Sequence, residues 1–157
     1  MRPLILLSSL AQGGAERVTV DLLSALSEAG RSVPVCTLTR RHDGLLAQEL
    51  ATLRITRHDL GARRLLDPFA LLRLLRLIRQ ERIELIHAHG QDAAILASWA
   101  RTFRSFPLVI TRHVLEEPSG TRRERKRARL ALKAMEGACA TIAVSRAVAD
   151  HLDTLVS

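Results

Sequence analysis

Leu4-Ile5-Leu6-Leu7-Ser8-Ser9-Leu10-Ala11-Gln12-Gly13-Gly14-Ala15-Glu16-Arg17-Val18 passes from an unbroken apolar run to a glycine pair and then into a helical period. Four apolar residues closed by serines read as a strand buried on both faces. Val18, Leu22, Leu23, Leu26 and Ala29 then form a helical stripe that Gly30 stops. A buried strand that turns through glycines into a helix is the first half of a βαβ unit.

The alternation continues outward from there. Val33 to Thr39 reads as a second strand, Leu45 to Leu50 as a short helix, and Arg54 to Leu60 as a third, more polar strand. Asp67-Pro68 opens a helix over 68–80, a capping residue ahead of a proline suited to the first helical position. Phe69, Leu72, Leu75, Leu77 and Ile78 give that helix its apolar side, and Arg73, Arg76 and Arg79 its basic one. Ile83 to His87 is the fourth strand, Asp92 to Arg104 a helix, and Leu108 to Thr111 the fifth strand. A long basic helix runs from Ser119 to Gly137, Thr141 to Val144 is the sixth strand, and Ser145 caps a last helix from Arg146 to Leu155. The expected fold is α/β, a Rossmann-like parallel sheet of about six strands with helices on both faces, in one domain over 1–157.

Composition narrows the function. The 157 residues are 47% hydrophobic and 25% charged, which is ordinary for a globular domain and excludes a disordered chain. With no Tyr, one Trp and three Phe, the chain lacks the aromatic surface on which single-stranded nucleic acid stacks. From Thr121 to Lys133, seven basic residues stand against the single Glu124, a net +6 within a total of +8. Arg122, Arg123, Arg125, Lys126, Arg127 and Arg129 thus make a patch for phosphates on a membrane or a nucleic acid, or a solvated helix face. A nucleic-acid role is disfavoured, because the motifs at the strand ends have no part in it.

Cys36 and Cys139 lack metal-ligand spacing and are too few for a disulfide framework, which points to a reducing cytoplasm. The N-terminal apolar run is short, broken by Ser8 and Ser9, and followed by no small-x-small cleavage site. No run of eighteen apolar residues exists to span a bilayer.

In an open parallel sheet, ligands bind beyond the carboxyl ends of the strands, where the strand order switches. The first strand delivers Ser8, Ser9 and Gln12-Gly13-Gly14 there, the fourth His87, His89 and Gly90, the fifth Thr111, Arg112 and His113, the sixth Ser145. Gly13-Gly14 either make a tight turn or bring the unpaired N–H groups of a helix start up to an anion such as a diphosphate. His87 and His89 share one face of a strand, but no third ligand lies at a zinc-binding spacing, so no metal is expected. His113 is suited to hydrogen-bonding a hydroxyl or phosphate, or to proton transfer.

Ser8-Ser9-Leu10, Gly13-Gly14-Ala15-Glu16-Arg17-Val18, Ile86-His87-Ala88-His89-Gly90, Val109-Ile110-Thr111-Arg112-His113 and Val144-Ser145 together resemble the family 4 glycosyltransferases of the GT-B fold. The resemblance implies the acceptor-side half of a retaining enzyme that moves a sugar from a nucleotide-sugar donor to a lipid-linked or glycan acceptor. It implies Gly13 and Gly14 at the donor diphosphate, His113 beside the transferring sugar as the catalytic residue, and Arg17, His89 and Arg112 on the acceptor side. It implies no cofactor, the nucleotide sugar being a co-substrate. The C-terminal donor-binding domain is expected to be absent from these 157 residues, so a partner chain or a homodimer is expected, with the isolated domain inactive. The alternative is a binding module that self-associates through its uncovered cleft face. The expected location is cytoplasmic, peripheral at the inner face of the membrane.

Overall fold

A computed structural model describes residues 1–10, 13–39, 45–113 and 120–156 of the chain. The elements in order are β1 (Pro3–Leu7), α1 (Gly14–Glu28), β2 (Val35–Thr37), α2 (Leu45–Thr52), β3 (Arg57–Asp59) and α3 (Pro68–Gln80). They continue as β4 (Leu85–His89), α4 (Gln91–Arg101), β5 (Leu108–Arg112), α5 (Arg122–Glu136), β6 (Ala140–Ala143) and α6 (Arg146–Val156). The strands form one parallel sheet in the order β3-β2-β1-β4-β5-β6, so the order switches between β1 and β4. Gln12 and Ser119, the latter the expected start of the basic helix, lie outside the described residues.

Alternation along the strands divides the core in two. Leu4, Leu6, Cys36, Ile86, Ala88 and Ile110 turn toward a layer of α3, α4 and α5, where they meet Leu74, Ile78, Ala97 and Ala134. Ile5, Leu7 and Val35 turn the other way, under α1 and α2, and pack on Val20, Leu23 and Leu50. Each fully buried leucine contributes about 2 kcal/mol or more of apolar transfer, which fixes strand register, since a one-residue slip would reverse both faces.

Helix ends follow local chemistry. Asp67 caps α3 by accepting the N–H groups of Phe69 (2.9 Å) and Ala70 (3.4 Å). Thr121 and Glu124 make a reciprocal capping box that starts α5 at Arg122. Arg31 N–H reaches Leu26 O across Gly30, Ile55 N–H reaches Leu50 O across Arg54, and Ile83 N–H reaches Ile78 O across Arg82. These six-to-one bonds are the same C-terminal motif three times, with φ of 73° at Gly30 but also 54° at Arg54 and 51° at Arg82.

Two apolar stripes differ from the sequence reading. In α1, Leu23 is buried as expected, but Val18 and Leu22 are exposed and Thr19 and Val20 are buried in their place. The helix is turned so that Thr19 faces the end of β4. In α3, Ala70, Leu71, Leu74, Leu77 and Ile78 are buried, leaving Phe69 and Leu72 outside. Ala70 is fully buried in the core on that side of the sheet. β2 begins only at Val35 because Pro34 has no N–H to pair. β4 runs on to His89, which pairs in register with Leu7 and Thr111.

Candidate functional site

The carboxyl ends of β1 and β4 flank the switch in strand order, and the candidate site assembles there. Three imidazoles form a row: His87 and His89 at a centroid separation of 4.3 Å, and His89 and His113 at 5.2 Å. Strand alternation puts His87 and His89 on the α1 side of the sheet. Gly90 follows at φ 84°, a conformation that a side-chain-bearing residue rarely adopts, and its N–H donates to Thr111 O at 3.1 Å. That turn ties the end of β4 to β5 and leads directly into α4.

The hydrogen bonds set the proton positions. Thr19 O–H donates to Ala15 O at 2.8 Å, which leaves the Thr19 oxygen as an acceptor. His89 Nδ1 lies 3.2 Å from that oxygen and 3.0 Å from His113 Nε2. Both contacts are satisfied when Nδ1 of His89 carries the proton and shares it, so His113 presents an unprotonated Nε2 to His89. His87 Nε2 pairs with Thr111 Oγ1 at 2.7 Å. His89 Nε2 is buried with no hydrogen-bond partner among the described residues.

Burial favours neutral rings. His89 is 3% exposed, and burial pushes its pKa down to about 3, with the charges of His87 and His113 adding to the effect. His87 is lowered by burial first and then by His113. His113 is lowered by burial and by Arg112, while the carboxylate of Glu16 pulls it back up. Glu16 also lies over the start of α1, where a Cβ added at Gly13 would collide with its carboxylate. Glu16 therefore connects the glycine turn to the imidazole row. A Cβ added at Gly14 would meet nothing within 4 Å, so that position faces open space.

The structure thus brings Gly13, Gly14, His89 and His113 to one place. Arg112 is buried on the opposite side of the sheet, near enough for its charge to act on His113. Arg17 is exposed and engaged by Asp21 and by Glu49 of α2 at 2.8 Å, which joins the two helices. In the α5 patch, Arg122, Arg123, Arg125, Lys126 and Arg129 are exposed, and Arg127 is tied to Asp92 of α4 at 2.7 Å. Sequence reasoning missed Thr19 and the reach of Glu16. A glutamate three residues after the Gly13 cap position was the available signal for the second.

Among the described residues, no group of three or more His, Cys, Asp or Glu is arranged to hold a metal ion. His89 Nδ1–H points at the lone pair of His113 Nε2, so neither nitrogen is open to an ion in that direction. Cys36 is buried, which raises its thiol pKa and makes it unreactive, while Cys139 is exposed. No helix among the described residues is long and apolar enough to cross a membrane.

The family model of Glycosyltransferase Family 4 matches residues 12–156. No curated protein matches the chain. Among solved structures, HepE of Anabaena in complex with UDP aligns at a TM-score of 0.78 and 22% identity, over 100% of this chain and 41% of that one. UDP-GlcNAc 2-epimerase of Neisseria meningitidis, bound to UDP-GlcNAc, aligns at 0.72 and 15% identity, over 100% and 44%. MurG of Acinetobacter baumannii aligns at 0.58 and 15% identity, over 92% and 42%. The chain therefore spans about two fifths of the length of these proteins. What it shares with them is the fold, that of one half of a GT-B architecture.

Proposed function

Because the chain belongs to glycosyltransferase family 4, we propose that it forms the acceptor-side half of the cleft in a retaining enzyme using a nucleotide-sugar donor. A second domain, on the same or a partner chain, would hold most of the donor, and the acceptor would be lipid-linked or a glycan. The observation that carries the reading is the imidazole row beside the first turn of α1, at the switch in strand order. The UDP and UDP-GlcNAc bound by the Anabaena and Neisseria proteins support the donor class.

In this reading the backbone N–H groups at Gly13 and Gly14 face the donor diphosphate. A helix start carries roughly half a positive charge, and oriented donors of this kind stabilise a leaving diphosphate without a metal. Glu16 has to turn away from Gly13 when that anion arrives, because like charges repel. His113 stands beside the transferring sugar. Burial favours its neutral form, and with the Nε2 lone pair taken by His89 it offers the N–H of Nδ1 to a hydroxyl. His89, held by Thr19, fixes the orientation of the His113 ring. The exposed cations of α5 attract the chain to an anionic membrane surface on the cytoplasmic side.

Equilibrium dialysis against labelled UDP-glucose, UDP-GlcNAc and GDP-mannose tests the reading. Weak binding of at least one donor is expected, lost in Gly14→Val, whose side chain projects into open space and leaves the fold intact. Equal binding by the variant, or none by the wild type, would overturn it. One observation favours the self-association alternative: β6 is an edge strand among the described residues and carries the exposed Ile142 with no charged residue. Sedimentation showing a monomer up to high concentration would remove that reading.

A further inference from the structure

A second basic surface lies on α3, apart from the α5 patch. Between Gly61 and Gln80 the chain carries five arginines and one acid, Asp67. That acid is buried and accepts three backbone N–H groups, from Arg63, Phe69 and Ala70. All five arginines are exposed, so the charge this segment shows outward is positive throughout.

Large apolar side chains stand among these cations. Phe69 is 68% exposed and Leu72 49%, and Phe103, in the turn after α4, is 65% exposed with Arg104 exposed beside it. Phe69, Leu72, Arg73 and Arg76 follow the helical spacing that puts residues on one face. Two open grooves run along this face. One, of about 750 Å³, lies between Arg63, Arg64 and Phe69, and the other, of about 490 Å³, between Leu72, Arg76 and Phe103.

We propose that the outward face of α3, completed by Phe103 and Arg104, is the surface that seats this chain on an anionic lipid bilayer. The apolar side chains enter the headgroup boundary and the guanidinium groups pair with lipid phosphates, the arrangement of a helix lying in the plane of the interface. Exposed phenylalanines and a leucine gain free energy on leaving water for acyl chains and nothing on meeting a nucleic-acid backbone. The contrast with α5 points the same way, since its exposed side chains are all charged, six cationic and two acidic, with no large apolar one among them. α3 and α5 flank α4 on the same side of the sheet, so α5 attracts at a distance while α3 makes the contact. The inference needs no donor and stands apart from the sugar-transfer reading.

The test is flotation of the chain with vesicles of phosphatidylcholine alone, and with about one third phosphatidylglycerol. The triple variant Phe69→Ser, Leu72→Ser, Phe103→Ser keeps every charge, and circular dichroism verifies its fold. The wild type is expected to bind the anionic vesicles and not the neutral ones. The triple variant is expected to bind roughly tenfold or more weakly at every salt concentration. Arg76→Gln with Arg79→Gln is expected to weaken binding by roughly fivefold per arginine at low salt. Absence of binding by the wild type, or equal binding to both vesicle types, would overturn the proposal. So would wild-type binding by the triple variant, and loss confined to Arg122→Gln, Arg123→Gln, Arg125→Gln would assign the contact to α5 instead.

Discussion

Acidification should weaken this fold through His89, by an amount that its burial determines. The ordinary imidazole pKa of 6.5 applies to the unfolded chain, and burial lowers it to about 3 in the folded one. Between those values the unfolded state binds a proton that the folded state does not. The contribution of neutral His89 is therefore complete above pH 6.5 and is lost as pH falls toward 3, by up to about 1.4 kcal/mol per unit. From pH 8 to pH 5 the loss comes to about 2 kcal/mol. His87 and His113 are also lowered and act in the same direction, so a variant is needed to isolate His89. Urea unfolding of the wild type and of His89→Gln at pH 8, 7, 6 and 5 supplies the comparison. The wild type should lose about 2 kcal/mol more than the variant over that range, a relative midpoint shift of about 1 M urea. The variant will also differ in absolute stability, since it alters the bonds to Thr19 and His113. Only the difference in pH slope bears on the reasoning, and parallel slopes would refute it.

Asp67→Ala strips an acceptor from three backbone N–H groups and should cost about 2 kcal/mol in thermal or urea unfolding. The hydrogen bond from Arg63 N–H, the largest cause, holds the Asp67 carboxyl below its usual range, so its stabilisation is complete above pH 4 and lost as pH falls through that lowered value. It therefore survives at pH 5, and a deficit that vanished by pH 5 would contradict this. Arg82→Gly should stabilise the chain by about 1 kcal/mol, because φ at Arg82 is 51° in the motif that closes α3, and a destabilised variant would argue against that backbone. Glu16→Gln should lower the His113 pKa further, since the carboxylate now opposes the effect of burial. A histidine proton titration in which the His113 midpoint stays in place would remove Glu16 from the site.

The fold was legible because every strand but the polar third is short, apolar and followed by helical spacing, and the strand ends then placed Gly13, Gly14, His89 and His113 at one edge. Their contacts were not legible. His89 and His113 come from strands 24 residues apart, and the shared proton depends on Thr19, whose role appears only once α1 is turned toward the end of β4. The apolar reading of α1 chose Val18 and Leu22 because local spacing cannot say which side meets the sheet. The leucine-rich sequence of α3 offers several stripes of equal merit, and packing that buries Ala70 selects one and leaves Phe69 and Leu72 outside. Pairs such as Asp92 with Arg127 join two helices through geometry that no local pattern contains.

The central claim is that the start of α1 and the imidazole row form one working half-cleft for a nucleotide sugar. The most direct measurement is a nuclear magnetic resonance titration of the isotope-labelled chain with UDP-glucose, UDP-GlcNAc and GDP-mannose, following backbone amides and histidine rings. The account predicts saturable shifts concentrated at Gly13, Gly14, His89 and His113 for at least one donor. A folded protein whose signals at those four residues stay fixed, or whose shifts gather only in the arginine groove around Arg63 and Phe69, would contradict it.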